Sequence, residues 1–461
     1  MKKGIIASYI SGICDVNVGA TYPEILRLFA PEFISVLILF SLINLLDARF
    51  IALLSSTSVY ATHGSSNNFL HFLVKIAEGM SLVITITAGQ YNGAQEFKKA
   101  GHILTDSFWL IVVLGSVISG VLFFGAHGIY YYILNVPEPM IKLGVPFLKM
   151  RAISIFFTFL YFAFTAFLRG IKNTQTPMWV FSLGAVVFIF FDYALIFGKF
   201  GFPEMQLQGS ALAGVIQYSF MFFLLFFIVL FDPAYRKYSI SLFRSIADIK
   251  TIKRLANLSW PLILDKATMA GAYIWLLKMI TPMGTTAIAS FSVIKDIERF
   301  AFLPAIAFAS IITLLASNNF GSGDTLSVKS NIKKIIFLAS IMVFGLLVIF
   351  SLNPSFFIRM FDLKGDFTAF ASRALPIISV LVFFDVLQLI LAGAMRGVGN
   401  VRFVMWVRFI VCIGLFAPLS YAVSIMPMQN LLFKFIIIYG MFYMCSALMS
   451  VLYIRKFRRD Y

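Results

Sequence analysis

Acidic charge is scarce in this chain. Asp and Glu together number 20 in 461 residues against 37 Lys and Arg, and charged residues of both signs make up 12% of the sequence. A soluble domain carries about 25%, so an aqueous surround is excluded for most of the chain. Cysteine is rarer still. Cys14, Cys412 and Cys445 form no even disulfide framework, and the last two sit in apolar runs, where a small core residue is the plain reading. The four histidines (His63, His71, His102, His127) fall in no metal-ligand spacing, there is no Gly-Lys-Ser/Thr phosphate loop, and no soluble stretch is long enough to hold a nucleotide. "RGVGN" from Arg396 follows no strand pattern and is no dinucleotide fingerprint. These absences point away from an enzyme and from any cofactor beyond a coupling ion.

What is abundant is apolar sequence. Hydrophobic residues make up 60% of the chain, with a mean hydropathy of +0.92. Stretches of about 20 residues, enough to cross ~30 Å of hydrocarbon as helix, fall near 28–50, 68–90, 104–126, 145–168, 177–198, 207–231, 256–280, 286–316, 334–352, 372–395, 403–425 and 431–454. This predicts an all-α integral membrane protein with twelve spans. Lys2 and Lys3 precede no apolar core with a small-residue cleavage site, so no removable signal peptide is expected. The net charge of +17 is dispersed between apolar spans and forms no single patch, which argues against a nucleic-acid partner. With both termini inside the cell, the inner loops and tails hold 22 Lys and Arg and the outer loops five. That asymmetry obeys the positive-inside rule and sets an even number of spans, in the inner (plasma) membrane.

The chain repeats itself. "FLRGIKNTQTPMWV" from Phe167 and "AMRGVGNVRFVMWV" from Ala394 share Arg-Gly, then Asn, then Met-Trp-Val, at an offset of 227 residues. "LNVPEPMIKLG" from Leu134 matches "FDLKGDFTAFA" from Phe361, "AGQYNGAQE" from Ala88 matches "ASNNFGSGD" from Ala316, and "RLFAPEFISVL" from Arg27 matches "RLANLSWPLIL" from Arg254. Two six-helix lobes follow, 1–231 and 255–461, joined by a basic cytoplasmic linker, 232–254. Six spans return the chain to its starting side, so the repeats are parallel, and a binding site is expected between them near the midplane. Gly170 and Gly397 read as left-handed caps at inner helix ends, with the adjacent basic residues held in the cytoplasm.

Five segments in this order resemble the multidrug and toxic compound extrusion (MATE) transporters of the MOP flippase superfamily, over nearly the whole chain. They are "LINLLDARFIALL", "AGQYNGA", "FLRGIKNTQTPMWV", "FFDYALIFGKFGFPEMQLQGSALA" and "FFDVLQLILAGAMRGVGN". The resemblance implies a pseudo-symmetric two-lobe fold around a central cavity. It implies export of amphiphilic small molecules in exchange for protons or sodium ions, by alternating access. The remaining expectations are a monomer surrounded by lipid and substrate contacts with aromatic and Met side chains. A flippase for a lipid-linked or phosphorylated glycan precursor is the alternative within the superfamily.

Charge inside a span costs about 2.5–3.5 kcal/mol on insertion scales and marks function first. Asp47 matches the family's first-helix aspartate and Asp192 its fifth-helix aspartate; together they are the candidates for proton binding, or for sodium. A pair between Asp47 and Arg49, or a basic residue of another helix, is the plain alternative. Where the branch with Asp192 usually has Asn one turn earlier, this chain has Phe188, which removes an oxygen ligand from a sodium site. Asp385 matches a tenth-helix aspartate with Gln388 a turn on, but the Glu that accompanies it in span seven is missing; Asp265 and Lys266 stand about one turn early. The basic residues Lys75, Lys266, Lys278, Lys295, Arg299 and Arg408 also fall inside spans. Lys75 with Glu78 and Lys295 with Glu298 are spaced for i,i+3 pairs. The rest belong to a buried network or to a cavity accepting an anionic or zwitterionic group. Pro31, Pro261, Pro304 and Pro376 lie within or beside spans and permit bending.

Overall fold

The computed structural model describes residues 18–54, 56–243, 249–362 and 365–461. Lys2, Lys3, Cys14, Arg244 and Lys364 lie outside them, as does the segment in which a signal peptide was judged absent. The described residues contain helices and turns and no strand, as a bilayer requires of a chain that must pair its backbone within each span.

The first span consists of α1 (Tyr22–Leu37), a π-helical turn (Ile38–Ile43) and α2 (Asn44–Leu53). Then come α3 (Thr57–Gly93), α4 (Phe97–Gly128, prolonged by a π turn at Ile129–Ile133), α5 (Glu138–Gly170), α6 (Gln175–Phe197) and α7 (Leu207–Phe231). A 3-10 turn (Pro233–Tyr238) precedes α8 (Ile249–Ile280), α9 (Thr285–Gly321), α10 (Thr325–Leu352), the short α11 (Pro354–Arg359) and α12 (Thr368–Gly397). The eleventh span is α13 (Val401–Phe409), a π turn (Ile410–Phe416) and α14 (Ala417–Ile425); α15 (Leu431–Asp460) is the twelfth. Every predicted span lies in one of these helical runs. Among the described residues ten are apolar and long enough to cross a bilayer by composition alone. The other two are the first span and α8, which carries charge at both its start and its middle. The four prolines sit within continuous helices, α1, α8, α9 and α12; irregular turns occur elsewhere, at the three π segments.

Packing divides the chain into two compact units, Ala30–Trp260 and 18–29 with Pro261–Tyr461. The boundaries fall inside α1 and inside α8. In the first unit, the Trp109 indole donates to the Leu242 carbonyl at 2.8 Å, and the Tyr238 hydroxyl to Asn92 at 2.8 Å, docking residues 233–242. In the second, the fully buried Lys334 ammonium donates to the Val18 and Ala20 carbonyls at 2.9 and 3.0 Å. Lys334 thus belongs to the interior instead of an exposed inner loop.

Inside each unit the repeated phrase builds the same joint. Thr85 of α3 donates to the Ala166 carbonyl of α5 at 3.1 Å, and Thr313 of α9 to the Gly393 carbonyl of α12 at 3.1 Å. A Cβ on Gly170 would stand 3.0 Å from the Thr85 carbonyl oxygen, and one on Gly397 2.7 Å from that of Thr313. These glycines are therefore close-approach residues and not the left-handed caps expected: neither has positive φ, and Lys172 (φ 64°) and Gly399 (φ 94°) take that conformation two residues on. The shared Asn closes the turn, since Asn173 donates to the Tyr235 hydroxyl at 2.8 Å and Asn400 to that of Tyr461 at 3.1 Å. The shared Trp179 and Trp406 are 64% and 51% exposed, as expected of indoles at a membrane interface.

Candidate functional site

The shared arginine does more than hold a helix end in water. Arg169 closes on Glu32 of α1 at 2.6 Å, and Arg396 on Asp265 of α8 at 2.5 Å. Both carboxylates are almost inaccessible. Each unit thus ties its fourth span to the helix that begins its repeat with a buried ion pair. Asp265 also faces Arg408 at 2.8 Å. Asp265, Arg396 and Arg408 thus form one buried ion network.

A cavity of about 190 Å³ opens within the unit Ala30–Trp260. Its polar wall includes Asp47, Asn67, Lys75, Glu78, Arg151 and Gln217, and its apolar wall includes Tyr161, Phe162, Phe181, Phe188 and Tyr218. Lys75 pairs with Glu78 at 2.7 Å, as the spacing predicted. Among the described residues, Asp47 pairs with neither Arg49, which is exposed, nor any other arginine within 4 Å. Its Oδ2 meets His63 Nε2 of α3 at 3.0 Å, and its Oδ1 accepts from Ser210 of α7 at 2.8 Å. Asp192 of α6 stands close enough for the two carboxyls to feel each other electrostatically. It is fully buried and, among the described residues, neither of its oxygens has a hydrogen-bond partner within 3.5 Å, although the Ser210 hydroxyl and the Arg151 guanidinium act on it from farther off. A buried carboxyl in that position needs a proton or a cation as its counterpart.

The chain of contacts continues from His63. Its Nε2 lies 3.0 Å from Asn67 Nδ2, while Asn67 Oδ1 accepts from Arg151 Nη2 at 3.2 Å. A guanidinium can only donate, so it fixes the Asn67 amide with its oxygen toward Arg151. The amide nitrogen then points at His63 Nε2, which must accept. An Nε2 that accepts from Asn67 does not also donate to Asp47. A protonated Asp47 carboxyl needs the same Nε2 lone pair, so His63 accepts from Asn67 or from Asp47 and not from both. With the proton on Nε2 instead, His63 donates to an ionised Asp47 and the bond from Asn67 is lost. These contacts join Asp47 of α2 to α3 and, through Arg151, to α5.

The second unit holds a different group. Glu298 of α9 is buried and accepts from the Tyr443 hydroxyl at 2.8 Å and from the Tyr439 hydroxyl. Lys295 lies 3.5 Å from Glu298, at the predicted i,i+3 spacing, with its ammonium 4.2 Å from the centroid of the Tyr273 ring. Asp385 accepts from Ser446 of α15 at 3.1 Å and lies within electrostatic range of Glu298. Gln388 is buried with its amide nitrogen unpartnered. Span eight thus brings a second carboxylate, Glu298, into the electrostatic range of Asp385. Lys266 flanks Asp265, Lys278 lies 5.3 Å over Trp275 at the end of α8, and Arg299 is exposed.

The two-part architecture is mirrored in a family match. The sequence model described as MatE covers residues 33–194 and again 261–422, more than half the chain. The protein belongs to the MATE family. It is therefore a multi-pass membrane protein of a transporter family. Among MATE relatives, the probable multidrug resistance protein YoeA of Bacillus subtilis is 25% identical over 77% of this chain and 76% of its own length. The probable multidrug resistance protein NorM of Haemophilus ducreyi is 25% identical over 87% of each chain. A solved Vibrio cholerae MATE transporter, VcmN, superposes with a TM-score of 0.86 at 15% identity over 98% of both chains, and an outward-facing multidrug resistance MATE transporter with 0.82 at 17% over 95% and 96%. These likenesses bear out the all-helical, twelve-span MATE fold.

Proposed function

We infer that the protein exports amphiphilic small molecules in exchange for protons, with both termini in the cytoplasm. Asp47 and Asp192 carry the coupling proton, and Asp385 with Glu298 forms a second protonatable pair. The observation that carries this reading is the Asp47–His63–Asn67–Arg151 chain, of which Asp47, Asn67 and Arg151 line a cavity, beside the buried Asp192. A hard cation asks for several oxygen ligands; here His63 offers nitrogen and the buried Phe188 offers carbon. That donor set favours a proton over sodium. Protonation at one membrane face and release at the other would alternate the contacts that join α2, α3 and α5, which is the kind of two-position element alternating access needs. The names of the curated relatives support multidrug cargo over a glycan precursor.

The test is uptake of a fluorescent cationic dye into proteoliposomes under an imposed proton or sodium gradient. A proton gradient drives uptake in the wild type, and Asp47→Asn and Asp192→Asn each abolish it. Uptake driven by sodium alone, or retained in both variants, ends the assignment.

A further inference from the structure

Among the described residues three strong cations line the cavity, and one of them is in no ion pair. Lys75 is paired with Glu78 and Arg169 with Glu32, while Arg151 feels Asp47 and Asp192 only at longer range. Arg151 has no carboxylate within 4 Å among the described residues. Its guanidinium gives one hydrogen bond, to Asn67, and lies 5.8 Å from the Phe147 ring centroid. Four of its five N–H donors are therefore free of any protein acceptor. Gly214 of α7 makes the room: a Cβ there would collide with the Arg151 guanidinium. Opposite in sign, Asp47 lines the same cavity. One small chamber thus carries a carboxylate and a guanidinium with unfilled hydrogen-bond donors, with Tyr161, Phe162, Phe181 and Tyr218 as aromatic wall.

We propose that Arg151 is an anion-binding subsite of this cavity, selecting zwitterionic aromatic amphiphiles whose carboxylate it grips and whose ammonium group lies toward Asp47. A carboxylate suits the planar fork of a guanidinium, and the water displaced from both ions is replaced by charge-assisted hydrogen bonds. The ammonium group then competes with the coupling proton at Asp47, while the carboxylate competes with nothing. The proposal rests on the export reading for its direction of transport, but binding is measured without a gradient.

The probes are 2-naphthylalanine, its amide, which is a cation only, and its N-acetyl derivative, which is an anion only. Each is titrated calorimetrically into the full chain in nanodiscs. The wild type binds the zwitterion about tenfold tighter than the amide, the worth of one charge-assisted hydrogen-bond pair. Arg151→Gln, which retains a donor for Asn67, brings the two within about threefold, and Arg151→Lys keeps an intermediate preference. Equal binding of zwitterion and amide by the wild type, binding of none of the three, or an unchanged preference in both variants overturns the proposal. If the Gln variant does not fold, the Lys variant decides alone, by losing part of the preference or none. Proton-driven dye uptake by the unsubstituted protein separates the two readings. No uptake with the zwitterion preference intact ends the export reading and leaves the subsite. Uptake with equal binding of zwitterion and amide ends the subsite alone.

Discussion

At the scale of single residues, the informative feature is which group holds a proton for which neighbour. His63 needs Asn67 as donor and Asp47 as partner, so His63→Gln keeps polarity but removes the nitrogen through which the Asp47 proton is shared. Dye uptake under a proton gradient is expected to fall at least tenfold, while Tm shifts by only a few degrees; uptake at the wild-type rate would exclude His63 from coupling. The ion pairs behave differently. Removing Asp265 leaves Arg396 and Arg408 buried together without their counter-charge, and breaking a buried pair costs about 3–5 kcal/mol. Asp265→Ala is therefore expected to lower yield and thermal stability sharply, by size-exclusion and thermal unfolding in detergent, before any question of transport arises. The acidic residues were legible because Asp192 and Asp385 each stand alone in an apolar run and Asp47 has only Arg49 beside it; none needs a structure to be noticed. Their partners were not. His63, Asn67 and Arg151 lie in ordinary helical text, and Glu32 meets Arg169 across 137 residues of chain. Nothing local to either sequence marks that meeting.

At the scale of helices, length and apolar composition carried the prediction, since a bilayer leaves a buried backbone few alternatives. What the sequence blurred was the purpose of glycine. A glycine before a helix end serves a left-handed cap or a close crossing equally well, and the repeated phrase contains both: Gly170 and Gly397 at the crossing, Gly399 at the turn. Gly170→Ala and Gly397→Ala would press a methyl against the α3 and α9 backbones, where neighbours cannot rotate away. Overpacking costs about 1–3 kcal/mol, and thermal unfolding in detergent should show the larger loss for Gly397, whose Cβ would meet atoms at 2.7 Å against 3.0 Å for Gly170. The start of α12 gives a pH signature. Burial pushes the Asp362 carboxyl up, but the Thr368 hydroxyl and the amides of Phe367, Thr368 and Asp366 outweigh it and hold the group below its ordinary range. A depressed folded value means stabilisation that is present above the ordinary carboxyl range and lost as pH falls through the lowered one. Asp362→Asn should therefore reduce Tm at neutral pH and reduce it less near pH 3; an equal loss at both would refute the capping role.

At the scale of the whole molecule, the balance of charge moved per cycle separates the readings of cargo. A monovalent cation leaving as one proton enters moves no net charge. A zwitterion leaving as one proton enters moves one. The membrane potential then acts on the second exchange alone, and one charge across 100 mV is worth about 2.3 kcal/mol, roughly fifty-fold in accumulation. In proteoliposomes with a fixed proton gradient, a potential set by valinomycin and potassium should change the steady accumulation of 2-naphthylalanine several-fold and leave that of its amide unaltered. Arg151→Gln should weaken zwitterion transport without changing its dependence on voltage, because the subsite alters affinity and not the number of protons exchanged. If both cargoes respond equally to the potential, the two are carried with different proton numbers, and a single proton shared by Asp47 and His63 no longer accounts for the coupling.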